Sequence, residues 1–306
     1  FGVTIDLYNK NTSDLLYYAP LPNISGYTGQ YKNVGAINNK GLEISLNADV
    51  IRTSKFQWTS DFNIGFNRNR VTELYGGKPE LKGLKRLEEG RDMDEWYLRE
   101  WAGVDPANGS PLWYTTDENG KRTTTDSYNK ADRVYCGSAA PKFTGGWMNS
   151  FSYKGFTLTA NFDFVYGNLL YNQSRELLDS DGAYADYNSM KLKSGWKRWE
   201  KEGDIATHPK AINGGNKNSN KSSSRYLEKG NYFSLRNLSL GYSIPEKLCG
   251  KLGLQRVNVS CSADKLFTLT PFSGVSPQLS DSSTDGYAGT IYPLSRRIVF
   301  GLNVSF

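Results

Sequence analysis

The stretch that most limits how this chain can fold is its last, Leu294-Ser-Arg-Arg-Ile-Val-Phe-Gly-Leu-Asn-Val-Ser-Phe306. Ile298, Phe300, Leu302, Val304 and Phe306 share one parity, while Arg297, Val299, Gly301, Asn303 and Ser305 share the other. Side chains of a strand alternate between faces, so the segment presents one wholly apolar face and one mostly small or polar face. The run of roughly nine residues is about what a tilted strand needs to cross hydrocarbon. A single such segment also suits a strand of a soluble sandwich, so repetition must decide between them.

The pattern repeats along the chain. Phe1, Val3, Ile5 and Leu7 alternate with Gly2, Thr4, Asp6 and Tyr8; after a Pro-, Asn-, Gly- and Tyr-rich loop to about Asn39, Leu42, Ile44, Leu46, Ala48 and Val50 alternate with Glu43, Ser45, Asn47 and Asp49. Phe56, Trp58, Phe62, Ile64 and Phe66 follow, and pairing Val50 with Phe56 around a five-residue turn keeps both apolar sets on one face. The clearest hairpin joins Phe143–Tyr153 to Phe156–Tyr166 through Lys154-Gly155, pairing Tyr153 with Phe156. Its other face carries Thr144, Ser150, Ser152, Thr157, Thr159, Asn161 and Asp163, which predicts a wet lumen rather than a packed core. Strands are predicted again at Tyr232–Ile244 and around Val257, Val259, Cys261 and Ala263, with a compact turn or one helical turn at Pro245–Gly253.

Between the strands the reading is coarser. Residues 75–141 predict an elaborated surface hairpin, with a pair of barrel strands as the alternative: Trp96–Tyr114 reads as two short strands about an Asp-Pro/Asn-Gly turn, and Asp117-Glu-Asn-Gly120 as another turn. The long connection Gly167–Gly230 places Met190, Trp196 and Trp199 at roughly helical spacing within Tyr187–Glu202, and Asn213–Ser224 is flexible by composition. A further loop covers Pro271–Tyr292. The count is eight strands with short and long connections alternating, so all short turns fall on one side and all long loops on the other. That is the asymmetry of outer-membrane barrels.

Composition removes other classes. No run of eighteen apolar residues exists, which excludes a transmembrane helix but not a barrel, whose strands turn only every second residue to lipid. Lys plus Arg number 37 against 31 Asp plus Glu, and the excess is spread rather than gathered on one face, so no nucleic-acid partner is expected. Cys136, Cys249 and Cys261 have neither zinc spacing nor a paired count, so no metal or cofactor is expected. Phe1 follows no charged n-region or apolar signal, so the chain reads as a fragment.

Seven blocks stand in order through most of 33–306: Asn33-Val-Gly-Ala-Ile-Asn-Asn-Lys-Gly-Leu-Glu43, Trp101-Ala-Gly-Val-Asp-Pro-Ala-Asn-Gly109, Ala140-Pro-Lys-Phe-Thr-Gly-Gly146, Tyr153-Lys-Gly-Phe156, Trp199…Gly203-Asp204…Pro209, Tyr226–Tyr242 and Leu266-Phe-Thr-Leu-Thr270. By these blocks the chain resembles the C-terminal barrel portion of the SusC/RagA-like TonB-linked outer-membrane transporters of Bacteroidetes. The resemblance implies that 1–306 form about eight or more strands of a 22-stranded all-β transmembrane barrel with long extracellular loops. It further implies a signal peptide, an N-terminal plug and a TonB-contacting region outside these residues. It also implies a SusD-like surface lipoprotein as lid and uptake of oligosaccharides or, in some relatives, peptides. Asp264-Lys265, Ser276-Pro277-Gln278 and the shortened acidic turn Asp117–Gly120 depart from the family's pattern, which weakens a carboxylate role at 276–278 and any calcium site.

Catalysis finds little footing. His208 is the sole histidine, no G-x-S-x-G accompanies it, and Glu88/Glu89, Asp92/Asp94 and Asp179/Asp181 read as solvated loop carboxylates, so no catalytic residue and no enzyme activity is expected. Candidate ligand contacts are the outer-loop rings Trp96, Trp101, Trp113, Tyr114, Trp196 and Trp199, whose flat faces suit sugars but serve loop packing and partner interfaces equally well. Phe151, Tyr153 and Phe156 are candidate bilayer anchors. Phe306 looks like the terminal aromatic by which barrel-assembly machinery recognises such proteins. A passive porin or adhesin on a smaller barrel, or a secreted carbohydrate-binding β-protein, are the competing functions.

Overall fold

The computed structural model describes residues 1–187, 189–251, 253–278, 286–289 and 292–306, with the side chains at positions 20 and 23 left aside. Eight strands form one antiparallel sheet in chain order: β1 (Gly2–Thr12), β2 (Ala36–Arg52), β3 (Phe56–Glu73), β4 (Phe143–Tyr153), β5 (Phe156–Tyr166), β6 (Tyr232–Ser243), β7 (Arg256–Leu269) and β8 (Arg297–Ser305). These are the eight strands read from alternation. The long connections at 13–35, 74–142, 167–231 and 270–296 leave from one end, and the short ones at 53–55, 154–155 and 244–255 close the other, as predicted. Parts of two expected loops and of the 245–253 turn (279–285, 290–291, 188 and 252) lie outside the described residues.

Registers confirm which side chains share a face. Tyr153 pairs with Phe156, and Lys154 (φ 47°) with Gly155 (φ 86°) makes the doubly left-handed two-residue turn that matches strand twist. The first hairpin differs from expectation. Arg52 pairs with Gln57 and Ile51 with Trp58, so the turn is tighter than five residues, and a bulge at Val50 moves Ile51 onto the apolar face. Thr53 closes it, its N–H donating to Phe56 O at 2.9 Å. A second irregularity at Arg236, matched across the ladder near Lys265 (φ 56°), brings Phe233 and Leu235, and Phe267 and Leu269, onto the same face as Leu238 and Leu240.

The outward face carries an apolar band across all eight strands, and no second sheet covers it among the described residues. Phe300 is 80% and Leu302 69% exposed. The buried core sits elsewhere, in the long loops, around Trp96, Leu98, Ala139, Tyr171 and Tyr226. A sandwich buries the apolar face of its sheet; here most of that face is bare and the main buried cluster lies in the loops. Rings stack along it: Phe62 and Phe164, on strands flanking β4, meet at 6.0 Å over Gly145, where a Cβ would collide with the Phe164 ring. Indole N–H groups on this face stay satisfied, Trp58 Nε1 donating to Asn149 Oδ1 (3.0 Å) and Trp147 Nε1 to Ser60 Oγ (2.9 Å), as a hydrocarbon environment demands.

Residues 75–141 add no strand to the wall. They fold into two small sheets, Glu80–Lys82, Lys85–Leu87, Glu95–Arg99 and Arg133–Ser138 in one, and Trp101–Val104, Pro111–Thr116 and Arg122–Thr125 in the other. The surface reading therefore holds over the barrel-strand alternative. The helical spacing at 187–202 yields no helix among the described residues. One short helix, α1 (Ser174–Leu178), precedes it instead, and α2 (Glu246–Lys251) fills the 245–253 turn. Residues 213–224 were expected to be flexible but thread the loop interior: Asn216, Ser219 and Ser223 are buried.

Candidate functional site

The inward face is wet. Asp6, Glu43, Asn47, Asp61, Asn63, Thr159, Asn161, Asp163, Ser239, Ser262 and Asp264 line it by parity and register. The strands lock these groups into ladders across the wall. Asp264 accepts from Asn237 Nδ2 at 2.7 Å and from Arg297 Nε and Nη2 at 3.1 and 2.9 Å. The departure from the family pattern at 264 therefore carries a pore-facing ion pair that ties β7 to β8. Asp163 accepts from Tyr232 Oη at 3.1 Å, and its Oδ1 is enclosed without a donor among the described residues. Gln278, one of the 276–278 departures, lies beside it.

Above the wall the long loops close on a buried ionic knot. Asp181 accepts from Arg198 Nη1 and Ser219 Oγ, both at 2.7 Å, from Arg225 Nη2 at 3.1 Å and from Arg225 Nη1. Asp179 accepts from Arg175 Nη2 at 2.8 Å and meets His208 Nε2 at 2.9 Å. Burial pushes the Asp179 carboxyl up, but the hydrogen bond from His208 and the charges of Arg225 and Arg175 prevail and hold it below the usual carboxylate range. The reading of Asp179 and Asp181 as solvated carboxylates is thus corrected: both are buried and paired. His208 is enclosed as well, its other nitrogen engaged with Thr207 Oγ1 at 2.8 Å. Asp92 and Asp94 are tied to Ser138 and Lys85.

The predicted rings are gathered in this assembly, each with its face largely taken. Trp96 and Trp113 have no exposed surface and Trp199 very little. Lys85 lies over Trp96, Arg225 over Trp101, Arg175 over Trp196, Lys210 over Trp199 and Arg122 over Tyr114, at 3.7 to 5.8 Å from ring to cation. Trp96 Nε1 donates to Leu169 O and Trp199 Nε1 to Pro106 O. The buried rings brace loop against loop, whereas Trp101, Tyr114 and Trp196 keep some open area. Sequence reasoning missed Arg175, Arg225, Ser219 and Asn216; the only local hint was the i,i+4 spacing of Arg175 and Asp179. The block Tyr226–Gly230 anchors the rim: Glu228 holds Arg175 and Ser273, and Tyr226 is fully buried.

The expected anchors collect at the short-turn end. Phe151 stacks on Trp58 at 5.6 Å, Phe56 contacts both Phe151 and Tyr153, and Phe156 meets Tyr242 at 4.3 Å. Phe306 follows β8 at the same end, largely exposed. At the other end Phe143 stacks on Tyr166 and touches Phe66. The ten steps from Tyr153 to Phe143 rise about 33 Å along the strand, or about 25 Å vertically at a tilt near 40°, the height of a barrel's apolar band.

An apolar band, two aromatic girdles, a polar interior and loops at one end define a sector of an outer-membrane β-barrel. No protein-family model matches the chain. Two TonB-dependent receptors of Formosa agariphila are 29% identical over 100% and 99% of this chain, covering 34% and 32% of their own lengths. The TonB-dependent receptor SusC of Bacteroides thetaiotaomicron is 23% identical over 99% of the chain and 30% of itself. A solved RagAB peptide transporter superposes with a TM-score of 0.85 at 28% identity, over 99% of this chain and 33% of that one. The chain is therefore similar throughout to SusC/RagA-like TonB-dependent receptors of the Bacteroidetes outer membrane, and has the fold of a sector of their barrel. It spans about a third of the length of these relatives.

Proposed function

We propose that residues 1–306 are the C-terminal sector of a TonB-dependent importer that carries oligosaccharides or peptides across the outer membrane. The observation that carries the reading is the continuous polar wall behind a bare apolar face, in a chain similar over its full length to receptors and to a transporter of this kind. In this reading Asp61, Asp163, Asp264 and Arg297 line the substrate passage. The loop assembly supports the outer mouth, where a SusD-like lipoprotein would seat as lid. Trp101, Tyr114 and Trp196 are the rings with area left for a ligand or that partner. TonB would act through an N-terminal region beyond this chain, behind a plug that fills the larger barrel. The role is transport rather than catalysis, in keeping with relatives named as receptors and transporters.

The test is uptake by cells with the gene for the full-length receptor deleted and restored. Restoration should recover import of labelled oligopeptides or oligosaccharides, and loss of TonB should abolish it. Import that persists without TonB would make the barrel a passive porin and overturn the proposal.

A further inference from the structure

Lys40 and Arg68 face each other directly across the β2–β3 ladder, on the outward parity that also carries Leu42 and Phe66. Arg70 stands one row further toward the long loops, opposite Asn38. All three cations are exposed, and no ion pair involves any of them among the described residues. Like charges placed directly opposite in a sheet repel, so the pair costs stability unless an anion lies between them.

The surrounding charges sharpen the point. Outward positions on β1, β2 and β3, from Val3 to Asn11, Asn38 to Ala48 and Trp58 to Thr72, hold no Asp or Glu, whereas the inward positions of the same strands hold Asp6, Glu43, Asp49 and Asp61. Asn38, opposite Arg70, is a neutral amide and supplies no countercharge; its nitrogen donates to Asn9 and Asn11. The row of Lys40 and Arg68 lies one side-chain repeat, about 7 Å along the strand, beyond the last apolar row of Leu7, Leu42 and Phe66. That is the depth of headgroups, on the side of the long extracellular loops.

We infer that Lys40, Arg68 and Arg70 form a binding site for the phosphate groups of the outer-leaflet glycolipid. The acyl chains of such a lipid would lie on Leu7, Leu42 and Phe66 while its phosphate spans the Lys40–Arg68 pair. Guanidinium groups present two parallel N–H donors to phosphate oxygens, and an ammonium beside them adds a point charge. A phosphate seated there turns the repulsion across the ladder into attraction.

The full-length receptor, purified in detergent, should be titrated with lipid A, with enzymatically dephosphorylated lipid A and with inorganic phosphate, and bound lipid counted by native mass spectrometry. Wild type should retain lipid A and neither of the other probes. The variant K40Q/R68Q/R70Q should lose about 100-fold in apparent affinity, about fivefold for each surface charge removed. The charge-preserving exchange K40R/R68K should bind as wild type, which separates loss of charge from loss of fold. Equal retention of the dephosphorylated lipid, binding of free phosphate alone, or unchanged affinity in the triple variant would each overturn the assignment.

Discussion

Replacing Asp181 with Ala tests whether the outer loops are held by the buried ionic knot or by their apolar core. The Asp181 side chain is fully buried and accepts from Arg198, Ser219 and twice from Arg225, whose side chain is only 3% exposed. Breaking a buried pair by removing one partner typically costs about 3–5 kcal/mol, because the remaining charge stays dehydrated. Here Asp179 remains nearby, its Oδ1 at 3.4 Å from Arg225 Nη2 and 3.9 Å from Arg198 Nη2. That residual attraction sets the expectation at the lower end, about 3 kcal/mol, or roughly a 150-fold rise in the open population. Hydrogen exchange of the full-length receptor reads this directly. Amides in 175–187 and 215–226 should exchange about two orders of magnitude faster, while those of β5 and β6 keep wild-type rates, since their ladder does not depend on the knot. Exchange in the loops within threefold of wild type would refute the argument and assign the stability to the Trp96–Tyr226 core.

The same knot should respond to acid. Asp179 titrates lower folded than unfolded, so its contribution is full above the unfolded value near 4 and is lost as pH falls through the folded value; loop exchange should accelerate below about pH 4, and less so in Asp179→Asn. Leu302→Arg, on the outward face midway along β8, should cost about 2–4 kcal/mol in bilayer refolding, whereas Asn303→Arg on the inward face should cost far less. Nitroxide-labelled lipids should quench probes at positions 158, 162, 300 and 302, and free access of aqueous quenchers to all four would contradict the lipid-facing assignment. Deleting Phe306 should lower the amount of full-length receptor assembled in the outer membrane, measured by heat-modifiable migration.

The wall was legible because a two-residue period states both which residues are strands and which face each side chain takes. Tyr153 opposite Phe156 followed from the loop length alone. The same logic failed by one residue at Val50, because a bulge changes parity without changing composition: the run Ala48-Asp-Val-Ile-Arg52 reads equally well with either Val50 or Ile51 turned outward. The loops were far less legible. Trp196 and Trp199 at near-helical spacing suggested a helix, but each ring is fixed by a distant partner, Arg175 over the one and Pro106 O on the other. Contacts between positions so far apart in sequence leave no local period to read.

The polar stretch 213–224 shows why composition misled there. Asn and Ser favour disorder when water is their only partner, yet Ser219 donates to Asp181 and Asn216 donates to the carbonyls of Gly109 and Lys210. Its order is therefore conditional on charges supplied by other loops. This links the loops to the wall beneath. The knot can form only if β5 and β6 deliver residues 167–231 to the same rim, and the strands can deliver them only if the ladder is in register. With β5 held by β4, a shift of one residue between β5 and β6 would turn Phe233 inward and Ser234 toward lipid, and would also carry Arg225 away from Asp181. The hydrophobic requirement of the bilayer thus specifies the geometry of a mouth that never touches lipid.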